Sequence, residues 1–149
     1  METTSLEQAL SNSFLFEGLE DTYLQELARR MLDVHYGPGN TLIVEGQAGH
    51  YGGMGVVVNG SLKVVHGGDQ VIAHLGAGDI FGEMSLIDEQ PRSASVIAEE
   101  PTDVALLSPR DFRAAIAEHP DIAMRVLYVL SKRLREARQL PTSVVDQPL

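Results

Sequence analysis

Between residues 33 and 107 the sequence consists of short, β-branched apolar runs separated by glycine-rich turns, and this pattern most limits the possible folds. Gly37-Pro38-Gly39-Asn40 is a strong turn signal, because proline presets φ and glycine tolerates positive φ. Asn59-Gly60 between two β-branched runs is typical of a tight hairpin. Many short strands with regular turns predict a barrel or jelly roll rather than a parallel sheet. The runs of strand length are residues 41–44, 56–58, 61–65, 71–75, 94–98 and 104–107.

Helical periodicity flanks this strand-rich region on both sides. Apolar residues recur at helical spacing within residues 21–32, and residues 5–10 are predicted to form another turn or two. A helix begins after Ser108, which is suited to cap it, with Pro109 at the first helical position. A second helix opens at His119-Pro120-Asp121 and runs to Pro141. Its predicted apolar seam comprises Ile122, Val126, Leu130, Leu134 and Ala137. Helices at both ends of an antiparallel core predict a mainly β (α+β) fold.

The composition limits the possible functions. The chain has 149 residues, no cysteine and a formal net charge of −10, which argues against a surface that binds duplex DNA. One small anion at a local positive site remains compatible with that charge. No apolar run reaches the length of a membrane span, and the polar N-terminus does not resemble a signal peptide, so we expect no membrane association and a cytoplasmic location. We predict a single domain over residues 1–149, with its core at about 14–140 and a flexible tail at 141–149.

The segment of residues 78–96 carries the most chemical information. Gly82 permits close approach of the backbone to a ligand, and a short helical turn after it would present free amides, which suit a phosphate. The planar guanidinium of Arg92 suits two phosphate oxygens, and Ser93 adds a short donor. Glu83 is able to accept a hydrogen bond from a sugar hydroxyl. The alternative is that Glu83 and Arg92 simply pair with each other across a loop.

This segment resembles the phosphate-binding cassette of cyclic-nucleotide-binding domains, the family found in catabolite activator proteins and in regulatory subunits of cAMP-dependent protein kinase. The resemblance rests on Phe81-Gly82-Glu83-Met84-Ser85-Leu86 followed by Pro91-Arg92-Ser93-Ala94-Ser95-Val96. Gly76-Ala77-Gly78-Asp79 before the cassette and His119-Pro120-Asp121-Ile122 after it also resemble the family pattern. The resemblance implies an eight-stranded jelly roll (a double-stranded β-helix) with an N-terminal helix and C-terminal helices.

The resemblance also implies a role for each site residue. Glu83 would accept the ribose 2′-hydroxyl, and Arg92 would be the charge partner of the cyclic phosphate. Amides of Gly82, Met84 or Ser85, and of the segment at Arg92, would hold the phosphate oxygens. The remaining ligand contacts would come from Ser93, Ala94, Val71 and Leu75, and for the aliphatic residues, Met84 included, ordinary core packing is an equal alternative.

Two features depart from the family pattern. The loop of residues 47–55 is about two residues longer than usual and has Gly55 where an aromatic residue is common, which leaves the packing of the strand open. In addition, no helix-turn-helix pattern follows Leu140, so we expect no DNA-binding domain in this chain.

The function predicted is therefore a non-catalytic sensor of a cyclic nucleotide. The resemblance implies cAMP, with cGMP as the alternative, since serine follows the arginine at the position where the family often shows threonine for cGMP. We expect the ligand to shift the population of helix placements and thereby to signal through the C-terminal helix. Alternatives are a Crp/Fnr-type regulator without its helix-turn-helix and a relative that has lost nucleotide binding. A cupin-like metal site is a further alternative, but the five histidines show no metal-ligand spacing, so we expect no metal.

The helix at residues 120–140 has two possible partners. Its seam packs on its own β-roll or pairs with the same helix of a second subunit, and the resemblance favours a homodimer. Five of the eleven basic residues are concentrated there, and we expect them to form a solvated face, with an acidic partner as the alternative. These residues are Arg125, Lys132, Arg133, Arg135 and Arg138. The sequence does not identify the downstream effector.

Overall fold

The computed structural model describes residues 3–48, 53–83 and 90–138. A helix α1 (Thr3–Asn12), a 3-10 turn (Phe14–Phe16) and a helix α2 (Asp21–Arg30) precede the strands. Two helices follow them, α3 (Pro109–Glu118) and α4 (Asp121–Arg138). The strands are β1 (Leu32–Tyr36), β2 (Thr41–Ile43), β3 (Met54–Asn59), β4 (Leu62–His66), β5 (Gln70–Leu75), β6 (Ile80–Phe81), β7 (Ser95–Ala98) and β8 (Thr102–Leu107).

Eight strands in the described part of the chain form two antiparallel four-stranded sheets. One sheet has the order β1-β8-β3-β6 and the other the order β2-β7-β4-β5. The chain thus alternates between the sheets, as in a jelly roll, and the predicted fold class is confirmed. The tight hairpin expected at Asn59-Gly60 is wrong, because β3 and β4 belong to different sheets and this turn carries the chain from one sheet to the other.

Two apolar clusters stabilise the fold. One packs α1, α2, α3 and the start of α4 against the outer face of the first sheet, with Phe16, Phe112 and Ile122 almost fully buried. The other fills the space between the sheets and includes Val57 and Phe81. β3 contributes to both clusters because its residues are buried on both faces from Met54 to Val58.

The helix boundaries follow local chemistry. The hydroxyl of Ser108 accepts a hydrogen bond from the amide of Asp111 (3.1 Å), which caps α3, and Pro109 occupies its first position. This is the predicted start, because a cap residue satisfies an amide that the helix leaves unpaired. The predicted helices at residues 5–10 and 21–32 correspond to α1 and α2.

Two strands, β1 and β6, were not predicted, and part of the predicted seam on α4 is exposed. β1 alternates polar and apolar residues and β6 has only two residues, so neither shows a clear apolar run. Along the seam, Ile122 and Val126 are buried and Leu130 is half-buried, but Leu134 is 47% exposed. The first part of the seam, up to Leu130, therefore packs against the rest of the domain, whereas Leu134 does not. The predictions for Ala137 and for the tail at residues 141–149 fall outside the described side chains.

Candidate functional site

Gly82 forms a tight turn immediately after β6. Its φ is +80°, a conformation that favours glycine. A Cβ atom at this position would lie 3.0 Å from Nη1 of Arg92 and 3.1 Å from the carbonyl oxygen of Gly53. A side chain here would thus crowd the two groups that meet at the turn. Both the backbone conformation and the space require glycine.

Arg92 lies against this turn with its guanidinium buried. The residue is only 7% exposed, and its guanidinium donates from Nη1 to the carbonyl of Gly82 (2.9 Å) and from Nη2 to the carbonyl of Gly53 (3.0 Å). Burial lowers the pKa of the Arg92 guanidinium from its ordinary value. An arginine nonetheless keeps its charge in a protein, so a positive charge is held at the Gly82 turn.

The backbone of Arg92 is paired with the segment that follows β2. Its amide donates to the carbonyl of Gln47 (2.8 Å), and its carbonyl accepts from the amide of Gly46 (2.9 Å). Of the amides in the Arg92-Ser93 region that were predicted to hold the phosphate, the amide of Arg92 already has Gln47 as its acceptor in this structure. The side chain of Arg92, rather than its amide, faces the turn.

Glu83 is paired with an arginine that the sequence analysis assigned elsewhere. The carboxylate of Glu83 is buried, at 1% exposure, and its ion-pair partner is Nη1 of Arg133 on α4. Nη2 of Arg133 also donates to the carbonyl of Ile80 (2.9 Å). Burial lowers the pKa of Arg133, whereas the carboxylates of Asp79 and Glu136 act in the opposite direction. The alternative prediction, that Glu83 pairs with Arg92, is therefore wrong: among the described residues, the ion-pair partner of Glu83 is Arg133.

The expectation that the basic residues of α4 form a solvated face is wrong for two of them. Besides Arg133, Arg125 donates to the carbonyl of Glu17 and lies with its guanidinium 5.8 Å from the centre of the Phe14 ring. A signal for Arg133 was present, since it follows the buried Val126 by seven residues, which places both on one side of a helix. Lys132 and Arg135 are exposed, as expected.

A cavity of about 480 Å³ adjoins the buried guanidinium of Arg92. Its walls come from β1, β2, β6, β8 and the loop between β2 and β3, and they are mostly apolar. Arg92 is the charged residue in the described lining, so the cavity combines apolar walls with one positive group, as ligand sites commonly do. The lining residues are Tyr36, Leu42, Ile43, Gln47, Ala48, Gly53, Phe81, Arg92 and Leu106.

The other predicted site residues lie at varied positions. Ser93 is exposed and Ala94 half-buried, both just after Arg92. On β5, Val71 is 44% exposed, whereas Leu75 is buried between the sheets, as its core-packing alternative expects. Met84 and Ser85, and the short helical turn expected there, fall outside the described residues.

In the described part of the chain, no helix is both long and apolar enough to cross a membrane. Within the same residues, no three histidine or carboxylate side chains group closely enough to hold a metal ion.

Comparison with known proteins identifies the family. The family model of the cyclic nucleotide-binding domain matches residues 33–119, which is more than half of the chain and includes both Gly82 and Arg92. The chain belongs to the cyclic nucleotide-binding domain family. The match covers β2 to β8 in full, so the two sheets described above are the family's jelly roll.

Relatives of this cyclic nucleotide-binding domain include bacterial regulators. The chain is 35% identical over 136 residues to the cyclic AMP receptor protein of Thermus thermophilus, covering 86% of this chain and 60% of the relative. It is 30% identical over 136 residues to a CRP-like cAMP-activated global transcriptional regulator of Mycobacterium tuberculosis, covering 87% and 59%. The chain thus spans about 60% of the length of these relatives.

Solved structures agree with this assignment. The catabolite activator protein of Thermus thermophilus has a TM-score of 0.74 at 34% identity, over 84% of this chain and 60% of that one. A cyclic nucleotide-binding domain from Methylobacillus flagellatus has a TM-score of 0.76 at 32% identity, over 93% and 83%.

Proposed function

We propose that this chain is a regulatory domain that binds a cyclic nucleotide, cAMP in the first place, with cGMP as the alternative ligand. The observation that carries the proposal is the buried guanidinium of Arg92, which is held at the Gly82 turn beside a cavity of about 480 Å³. A positive charge in a mostly apolar cavity suits a ligand with one anionic group and an apolar ring system. A cyclic nucleotide has both. The relatives of this chain include proteins named as a cyclic AMP receptor and as a cAMP-activated regulator, which supports cAMP as the ligand.

In this proposal the phosphate lies at Arg92 and the turn of Gly82, with Ser93 and Ala94 beside it. A planar guanidinium is able to donate to two phosphate oxygens at once. Met84 and Ser85 would complete the cassette, and Val71 would contact the base. The role is binding rather than catalysis, since the function needs no group that transfers a proton or attacks a substrate.

The proposed signal passes from Glu83 to α4. The ribose 2′-hydroxyl would donate to the Glu83 carboxylate, which is the group that holds Arg133 of α4. Occupancy of the site would therefore change the strength of that ion pair and the preferred placement of α4. A ligand shifts such an equilibrium only as far as its affinities for the two states differ.

We further propose that α4 pairs with the same helix of a second copy. Four large apolar side chains on α4 are exposed, and they recur along one side of the helix at a spacing typical of a helix pair. The ring of Phe14 lies 5.0 Å from that of Tyr128 and extends this surface. The exposed residues are Met124 (66%), Leu127 (58%), Tyr128 (60%) and Leu134 (47%). We also propose a cytoplasmic location, where a cyclic nucleotide signal would be read.

Calorimetry with cAMP and cGMP on the purified chain tests the proposed ligand. We expect saturable binding of one nucleotide per chain, with cAMP bound more tightly. Arg92→Ala should lose at least about 100-fold in affinity, because a charge-assisted pair is lost. Arg92→Lys keeps the charge without the planar fork and should lose less.

The matched control is Arg110→Ala, an exposed arginine on α3, which should bind like the wild type. Thermal melting of each variant without ligand separates a loss of the site from a loss of the fold. Binding that survives Arg92→Ala unchanged would overturn the site, and a wild-type chain that binds neither nucleotide would overturn the function.

A further inference from the structure

The tip of the β4–β5 hairpin contacts the segment that carries Arg92. Nδ1 of His66, the last residue of β4, lies 3.2 Å from the carbonyl oxygen of Ser93 and 3.2 Å from Oε1 of Glu45. The same carboxylate oxygen accepts from the amide of Gly67 (3.0 Å). His66 and Glu45 therefore connect three segments, namely the hairpin tip, the end of β2 and the residue directly after Arg92.

Glu45 and its neighbours hold the other side of the same segment. The amide of Glu45 donates to the hydroxyl of Ser95 (2.9 Å), and the next two residues, Gly46 and Gln47, pair with the backbone of Arg92 (2.9 and 2.8 Å). The limb at residues 92–95 is thus bonded to the segment at 45–47 along its length. A shift of Glu45 or of the hairpin tip would move Arg92 relative to the Gly82 turn.

These contacts determine which ring nitrogen of His66 must carry a hydrogen. Both neighbours of His66 Nδ1, a carbonyl and a carboxylate, are acceptors, so Nδ1 must carry a hydrogen for either contact to form. An imidazolium always has that hydrogen and adds an ion pair with Glu45, whereas a neutral ring has it in only one tautomer. The other ionisable residues on the hairpin and the limb are Lys63, Asp69, His74 and Arg92.

We propose that His66 and Glu45 are positioning residues, which hold the limb of Arg92 in its ligand-binding geometry. The inference rests on the proposed nucleotide function, and it adds two residues outside the cavity on which nucleotide affinity depends. Because both contacts of the ring need a hydrogen on Nδ1, a hydrogen-bond donor at position 66 is required to hold the limb.

Calorimetry with cAMP tests the proposal. His66→Ala should bind cAMP about fivefold more weakly than the wild type, the size expected for the loss of one partly exposed polar contact. His66→Asn supplies a donor of similar reach, so it should recover most of the affinity.

The matched control is His35→Ala. His35 makes the same kind of contact, with Nδ1 2.8 Å from the Asp103 carboxylate, but it lies on β1 in the other sheet. This variant should keep the affinity of the wild type. The same affinity in His66→Ala as in the wild type would overturn the inference while leaving the proposed function intact.

A measurement without ligand distinguishes failure of this inference from failure of the proposed nucleotide function. Hydrogen exchange at the amides of Gly67 and Arg92 reports the contacts with Glu45 and Gln47 directly. Both amides should exchange several-fold faster in His66→Ala and in Glu45→Gln than in the wild type. Equal exchange rates would refute the positioning role, whether or not any nucleotide binds.

Discussion

The ring of Phe81 occupies the space that a side chain at Gly55 would need. Gly55 on β3 lies opposite Phe81 on β6, and a Cβ atom at position 55 would be only 2.2 Å from Cζ of that ring. Phe81 is 3% exposed and packs between the two sheets. Gly55 stands where the family pattern commonly has an aromatic residue. In this chain the strand packing is maintained because the aromatic ring comes from the neighbouring strand.

Gly55→Ala should therefore lower the free energy of unfolding by about 1–3 kcal/mol, since the added methyl group overpacks a buried ring. In a Phe81→Leu background the same substitution should cost clearly less. Urea denaturation of the four proteins measures this coupling. Gly76→Ala is the control, because a Cβ there meets nothing within 4 Å. An equal cost in both backgrounds would contradict the proposed packing.

Removal of Arg133 should destabilise the domain through Glu83. Arg133→Met leaves a carboxylate that is 1% exposed without its ion-pair partner, and we expect a loss of about 1–3 kcal/mol in the free energy of unfolding. Arg133→Met combined with Glu83→Gln should lose less than the sum of the single variants. Arg135→Met on the exposed side of α4 is the control and should change stability by less than about 0.5 kcal/mol. Strictly additive losses would mean that the two side chains are not coupled.

Acid should weaken the fold partly through Glu99. The ring of His74 (2.9 Å) and then the hydroxyl of Ser61 (2.9 Å) hold the pKa of the Glu99 carboxyl below its ordinary value of 4.5. Because the unfolded chain binds this proton more readily, the stabilisation is present above that value and is lost as the pH falls through the lower folded pKa. From about pH 5 to about pH 3, the melting temperature should fall more steeply for the wild type than for Glu99→Gln. Glu100→Gln controls for the change in net charge, and identical slopes for wild type and Glu99→Gln would refute the effect.

Leu127→Glu should disrupt the proposed helix pair without unfolding the domain. Leu127 is 58% exposed on α4, so a charge there costs little in a monomer but would be buried in a dimer. Light scattering after size exclusion should give twice the chain mass of 16.2 kDa for the wild type and a single chain mass for the variant. Leu32→Glu, at a residue that is 64% exposed on β1, is the control. A monomeric wild type would exclude the pair.

Local patterns predicted the elements whose stability is mostly local. The cap at Ser108 and the strands β4 and β5, predicted from the runs 61–65 and 71–75, each depend on residues close together in the chain. β6 was missed because two residues form a strand only when β3 is beside them. The hydrogen bond from the amide of Arg92 was not predicted for a similar reason, since its acceptor, Gln47, is 45 residues away in the sequence.

By itself the sequence determined the alternation of strands and turns, the start of each C-terminal helix and the cassette at Gly82 and Arg92, because these depend on residue types at short spacing. Only the tertiary structure decided which charged side chains form ion pairs with each other. Glu83 pairs with Arg133 because α4 crosses the β-roll at that point, and the angle of a helix on a sheet is set by packing over the whole contact. Phe81 lies over Gly55 for the same reason, since the register of two strands brings them together.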